Sequence, residues 1–283
     1  MAVSGSGPKR PNPYALEAQP DSKIARNDDS ESEDVSESGE TPMQKAIRQE
    51  LTPFLRRKDL ALNAPEYEDL MNLWTSMAEG SVTALEPDDA KDVFNDLLGA
   101  HEYPLLVATF NRYHHLLEAA SLGNLDAPPH RRSLELCLPT DWKPDLPELT
   151  QALNQMNVDC VRVRPRYPQD PVGLATCLCV ATLLNSGASE LHLQGHLSAI
   201  QPIVSAIPVS ALRTIALSQA PLIGPPTEAE ITGHRRILKA LAHCPTLEHL
   251  HLGYSELLDM HAIVGNYATQ GGPQLKAITL GYH

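Results

Sequence analysis

Between residues 43 and 122 the apolar positions recur every three or four residues, the spacing that gathers them on one face of a helix. The segment 43–55 carries Ile47, Leu51, Phe54 and Leu55, and 66–78, opened by Pro65, carries Leu70, Leu73, Trp74 and Met77. Pro87 sits where a first-turn proline is tolerated, and a helix follows through Val93, Phe94, Leu97 and Leu98 to a stop at Gly99. A fourth segment, 103–121, ends near Gly123. Four amphipathic helices of this length predict a small bundle or an N-terminal cap. Residues 1–42 lack this periodicity and are rich in Ser, Pro, Gly and acid, so they bury too little surface to offset ordering entropy and are expected to form a disordered tail. The paired prolines of Asp126-Ala-Pro-Pro-His130 disfavour helix on both sides and mark a boundary.

Beyond that boundary the period changes to two. A six-residue frame with apolar first, fourth and sixth positions, the first relaxed, begins at residues 133, 158, 188, 212, 247 and 275, in steps of 25, 30, 24, 35 and 28. Each frame reads as a short strand. The gaps hold segments of helical spacing at 146–156, 172–184, 197–207, 231–242 and 257–267. Neither G-x-G-x-x-G nor G-x-x-x-x-G-K-[ST] follows any frame, and one pattern repeats throughout, which argues against a doubly wound nucleotide-binding enzyme.

Residues 133–283 resemble the leucine-rich repeat family, in its longer strand–helix form typified by ribonuclease-inhibitor-like horseshoes. The resemblance implies an α/β solenoid of parallel strands with outer helices, in about six repeats over 131–283. A helical region (43–124) and the disordered tail (1–42) precede it. The chain departs from the family three residues after each frame, where Asn or Cys is expected. Asp141, Arg166, His196, Ala220, Ser255 and His283 stand there, so the turns must satisfy their backbone groups in another way.

In such a solenoid the third and fifth frame residues face the concave sheet surface, where partners bind. The third positions are Glu135, Cys160, Glu190, Thr214, His249 and Ala277; the fifth are Cys137, Arg162, His192, Ala216, His251 and Thr279. With the flanking Arg213 and Glu248, this gives a candidate protein-binding set of Glu135, Arg162, Glu190, His192, Arg213, Glu248, His249 and His251.

Catalytic, cofactor and metal sites are not expected. His249 and His251 share a strand face, but His192 lies two strands away, about 9–10 Å at normal strand spacing and too far for one zinc ion. Cys137 and Cys160 would face an open, wet sheet without an obvious oxyanion hole. Cys177 and Cys179 read as core filler, and His114-His115 as a structural pair with divergent side chains.

Charge narrows the choice of partner. The formal net charge is −13, which disfavours nucleic acid. No apolar run is long enough to cross a bilayer or to act as a secretory signal core, so a soluble chain without a membrane role is expected. Five cysteines, odd in number and set in apolar segments, suggest reduced thiols. Arg56-Arg57-Lys58 and His130-Arg131-Arg132 are the compact basic clusters, each too short to offset the acid, so a protein partner with a basic patch is expected.

The stretch Asp28 to Glu40 holds seven acids and four serines without a base, and the first acid of the chain is Glu17. The residues before it are mostly Ser, Gly, Pro, Lys, Arg and small apolar types, a start that resembles the unstructured, Ser-rich export signal of bacterial type III effectors, implying delivery into a host cell; a cytoplasmic protein is the alternative. Two other functions remain open. One is a ubiquitin-ligase adaptor, for which "LTPFLRRKDLAL" lacks the usual F-box start; the other is an enzyme housed in 43–122. The sequence ends three residues after the sixth frame, so self-association through that last strand edge is also expected.

Overall fold

The computed structural model describes residues 41–55, 67–81, 87–122, 129–167, 170–197, 199–218, 228–253 and 275–280. The tail through residue 40, the basic run 56–58, the helix expected at 257–267 and the chain after residue 280 lie outside the described residues.

The first helix, α1 (Pro42–Leu51), starts with a reciprocal cap. Thr41 Oγ1 accepts from the Gln44 N–H at 3.2 Å, and the Gln44 side chain accepts from the Thr41 N–H at 3.0 Å. Thr41 and Pro42, which composition assigned to the tail, are therefore the cap and first residue of a helix. The T-x-x-Q signal for it was present in the sequence.

Then come α2 (Glu68–Ala78), α3 (Pro87–Gly99) and α4 (Tyr103–Leu122). They pack around Trp74, Phe94 and Phe110, with the two phenylalanine rings 5.3 Å apart and the Trp74 indole donating to Thr109 Oγ1 at 3.0 Å. The apolar core runs without a break from Ile47 in α1 to Leu252 near the end of the sheet.

Six strands follow: β1 (Ser133–Leu136), β2 (Cys160–Val163), β3 (Glu190–Gln194), β4 (Thr214–Ser218), β5 (His249–Leu252) and β6 (Ala277–Leu280). They form one parallel sheet in the order β1-β2-β3-β4-β5-β6, each strand beside its sequence neighbours. The connections hold α5 (Leu146–Met156), α6 (Leu174–Asn185), the short α7 (Gln201–Ala206) and α8 (Glu228–Leu241). These helices pack on one another in sequence order from α4 to α8, so they form a single layer. The strand leucines and valines that face this layer, such as Leu134, Val161, Leu191, Ile215 and Leu250, are fully buried.

Each strand is joined to the next by the same main-chain device. The carbonyl just before one strand accepts two consecutive N–H groups at the start of the next. Arg132 O receives Asp159 and Cys160 (2.8 and 3.2 Å), and Asp159 O receives Ser189 and Glu190 (3.0 and 3.1 Å). The pattern continues through Ser189 O, Arg213 O and Glu248 O, the last receiving Lys276 and Ala277 at 2.7 and 3.2 Å. The turns after the strands are likewise closed by backbone bonds, as where Val172 N–H donates to His196 O at 2.7 Å, in place of asparagine side chains.

The first frame is corrected by two residues. Ser133 pairs with Cys160 and Glu135 with Arg162, so the first frame begins at Arg131. A slip of two preserves which side chains point inward, because the strand period is two. Leu134, Leu136 and Leu138 are all buried, so alternation alone could not choose between the registers.

The outer edge of β1 is covered by α3. The Asn95 side chain donates to Glu135 O at 3.1 Å and accepts from Cys137 N–H at 2.8 Å, standing in for a neighbouring strand. The seam between helices and sheet is closed by the segment that looked like a basic patch. Arg132 donates through Nε and a terminal nitrogen to Met156 O at 3.1 and 2.7 Å, capping the end of α5, and also reaches Asn111. Its guanidinium lies 5.4 Å from the centre of the Phe110 ring. His130 bonds to the buried His114 at 2.8 Å.

Candidate functional site: the open face of the sheet

Since the inward residues of each strand pack under helices, the alternate residues form the opposite face. One row across the sheet is Ser133, Cys160, Glu190, Thr214, His249 and Ala277; the next is Glu135, Arg162, His192, Ala216, His251 and Thr279. His249 and His251 are half-buried on β5, two strands from His192 on β3.

The acids in these rows are matched by bases of the same chain. Glu135 is only 8% exposed, held between Lys91 of α3 at 3.5 Å and Arg164. It was expected on the open surface, but the packing of α3 on β1 covers it, so it is removed from the accessible set. Glu190 is paired with Arg131, and its Oε1 lies 2.6 Å from His192 Nε2. Glu248, at the rim, lies 3.0 Å from Lys276 and 3.6 Å from Arg213. Lys276 beside it, first among several causes, holds its carboxyl below the usual range. Arg162 is exposed on β2, and no described acid pairs with it. Base thus outnumbers acid among these groups, and the surplus acid of the chain lies elsewhere.

One cluster on this face was not anticipated. The thiol of Cys160, a carboxylate oxygen of Glu190 and a ring nitrogen of His192 all lie within 4.8 Å of one another. The frames already held the signal, since Cys160 and Glu190 occupy the same frame position in adjacent repeats. Neither the histidine spacing nor the Cys177–Cys179 pair contains this mixed set.

All five cysteines are free thiols. Burial raises the Cys177 thiol to about 11 and the Cys179 thiol to about 12, as suits core residues of α6.

A concavity lies between α2 and α3. It has a volume of about 300 Å³ and is lined by Asp69, Asn72, Leu73, Asp89, Asp92 and Val93. Burial, then the nearby Asp92 and Asp69 charges, raise the carboxyl of Asp96 in α3.

Searches for similar proteins returned no matching protein family, no matching curated protein and no matching solved structure.

Proposed function

We propose that this chain is a leucine-rich-repeat-like solenoid that serves as a protein-binding module, docking a partner on the open face of its sheet. The observation that carries this reading is the recurring two-bond carbonyl link between successive strands, with helices layered on one side and polar rows that no described helix covers on the other. Stacked repeats of this kind need neighbours to bury their apolar layer, and they leave an extended surface whose side chains carry no structural duty. Arg162, His192, His249 and His251, with the Arg213–Glu248 pair at the rim, supply donors and acceptors on that surface.

Since the acids of the face are already matched, a basic partner segment gains little charge attraction there. A basic partner segment seated in the Asp69–Asp89–Asp92 groove would instead weaken steeply as salt is raised. The acid-free first sixteen residues, mostly Ser, Gly, Pro, Lys, Arg and small apolar types, support delivery as a secreted effector.

The test places a photo-activated crosslinker at His251 on the sheet face and, separately, at Gln151 on the exposed side of α5. A single protein crosslinked from His251 but not from Gln151, and lost when Arg162, His249 and His251 are changed together to Ala, supports the reading. Crosslinks from Gln151 alone, or capture unaffected by the triple change, overturn it.

A further inference from the structure

We propose that Cys160, Glu190 and His192 form a binding site for a divalent transition metal of the zinc class. The strands set the geometry. Cys160 on β2 and Glu190 on β3 are register partners, and His192 is two residues along β3, so all three side chains rise from the same face. The backbone beneath them is fixed by the ladder of both strands and by the Glu190 N–H bond to Asp159 O at 3.1 Å.

Bond lengths of about 2.0–2.3 Å to a tetrahedral zinc ion place its ligand atoms ~3.4–3.8 Å apart. The three donors already lie within 4.8 Å of one another, so side-chain rotation alone brings them to that spacing. Among the described residues, no other His, Cys, Asp or Glu side chains gather three donors this closely. Thiolate with imidazole selects zinc-like ions over calcium or magnesium, which prefer all-oxygen sites.

The groups around the cluster fit an ion. Arg131 adjoins β1 and must cross β2 to reach Glu190, and Cys160 on β2 is only 2% exposed. Arg131 pairs with Glu190 Oε2. Oε1 is the oxygen turned to His192. An ion bound through Oε1, the thiolate and the imidazole leaves Arg131 on Oε2, and the thiolate and carboxylate together neutralise its two positive charges.

Protons balance simply. His192 Nε2, which now donates its proton to Glu190, gives up that proton as the ring takes the Nδ1–H form, and the Cys160 thiol releases one proton to solvent. Binding should therefore tighten as pH rises. The fourth position is open to water or to a donor from a docked protein.

The test uses the reduced, metal-stripped full-length chain without any partner, so its outcome is independent of the docking reading. Cobalt(II) is titrated and followed optically, then displaced with zinc. We expect one equivalent to bind with a thiolate-to-cobalt charge-transfer band. Cys160→Ser should abolish the band, His192→Gln should weaken binding at least tenfold, and His243→Gln, an exposed position after α8, should leave both unchanged. Zinc should also shield Cys160 of the unsubstituted chain from alkylation, read by peptide mass mapping, a measurement that stands if Cys160→Ser fails to fold. Absence of the band in folded protein, its persistence in Cys160→Ser, unaltered affinity in His192→Gln, or alkylation of Cys160 at the same rate with and without zinc would each overturn the site.

Discussion

His114 makes the fold sensitive to mild acid, and the size of the effect follows from its surroundings. The imidazole is 3% exposed at the seam between α4 and β1. Its Nε2 lies 3.2 Å from the Ser133 carbonyl, which can only accept, so Nε2 carries the proton. Nδ1 must then accept from His130 Nε2–H, at 2.8 Å. A second proton on His114 has no acceptor unless His130 changes tautomer, and it would enter a desolvated site beside His130 and Arg132. Burial, then these two neighbours, lower its pKa from 6.5 to about 3.

The unfolded chain therefore takes up a proton on this residue that the folded chain refuses. The stabilising contribution is complete above the unfolded value of 6.5 and is lost as pH falls toward about 3. Between pH 7.5 and pH 5 the linkage amounts to about 2 kcal/mol, before most carboxylates begin to titrate. Urea unfolding at those two pH values, for the unsubstituted chain and for His114→Gln, measures it. Glutamine can still donate to Ser133 O but does not titrate, so its stability should change less over the interval by about 2 kcal/mol. Equal pH dependence in the two proteins would refute the reasoning, whatever their absolute stabilities.

Other positions give sharp expectations. Gly173, which precedes α6, has an ordinary φ of −72°, but a Cβ there would lie 2.3 Å from the Thr140 carbonyl oxygen, so Gly173→Ala should cost about 1–3 kcal/mol in urea unfolding. Leu191→Ala removes a fully buried side chain from the middle strand layer and should cost about 2–5 kcal/mol, read from the same denaturation curves. Asn95→Ala leaves Glu135 O and Cys137 N–H without their partner; a loss of about 1–3 kcal/mol is expected, with faster hydrogen exchange at Cys137. In native protein, Cys177 and Cys179 should resist iodoacetamide at neutral pH, and both should react after denaturation, as mass mapping will show.

The alternation of frames at 158, 188, 212, 247 and 275 and the helical spacing between them made the parallel α/β architecture legible, because both follow from which side chains must be buried. What escaped was information that these periods do not carry. The first frame could slide by two residues without exposing a leucine. The start of α1 lay in a capping pair, Thr41 and Gln44, rather than in apolar spacing. Asn95 and Lys91 cover β1 from some forty positions upstream, a contact no local window contains. Among the candidate binding residues, Glu135 was misplaced for this reason, while Arg162, His192, His249 and His251 lie on the uncovered rows. The Cys160–Glu190–His192 cluster became visible only when adjacent frames were read side by side.

The strand-to-strand link through Arg132, Asp159, Ser189, Arg213 and Glu248 is made by carbonyl groups alone. Those five side chains differ in charge, size and shape, and none of them is needed for the bond that its own backbone makes. A scaffold joined in this way imposes almost no alphabet on the positions it uses. Its sequence can drift widely, keeping only the rhythm of its apolar residues, while the rim stays available for selection to rewrite from one lineage to the next.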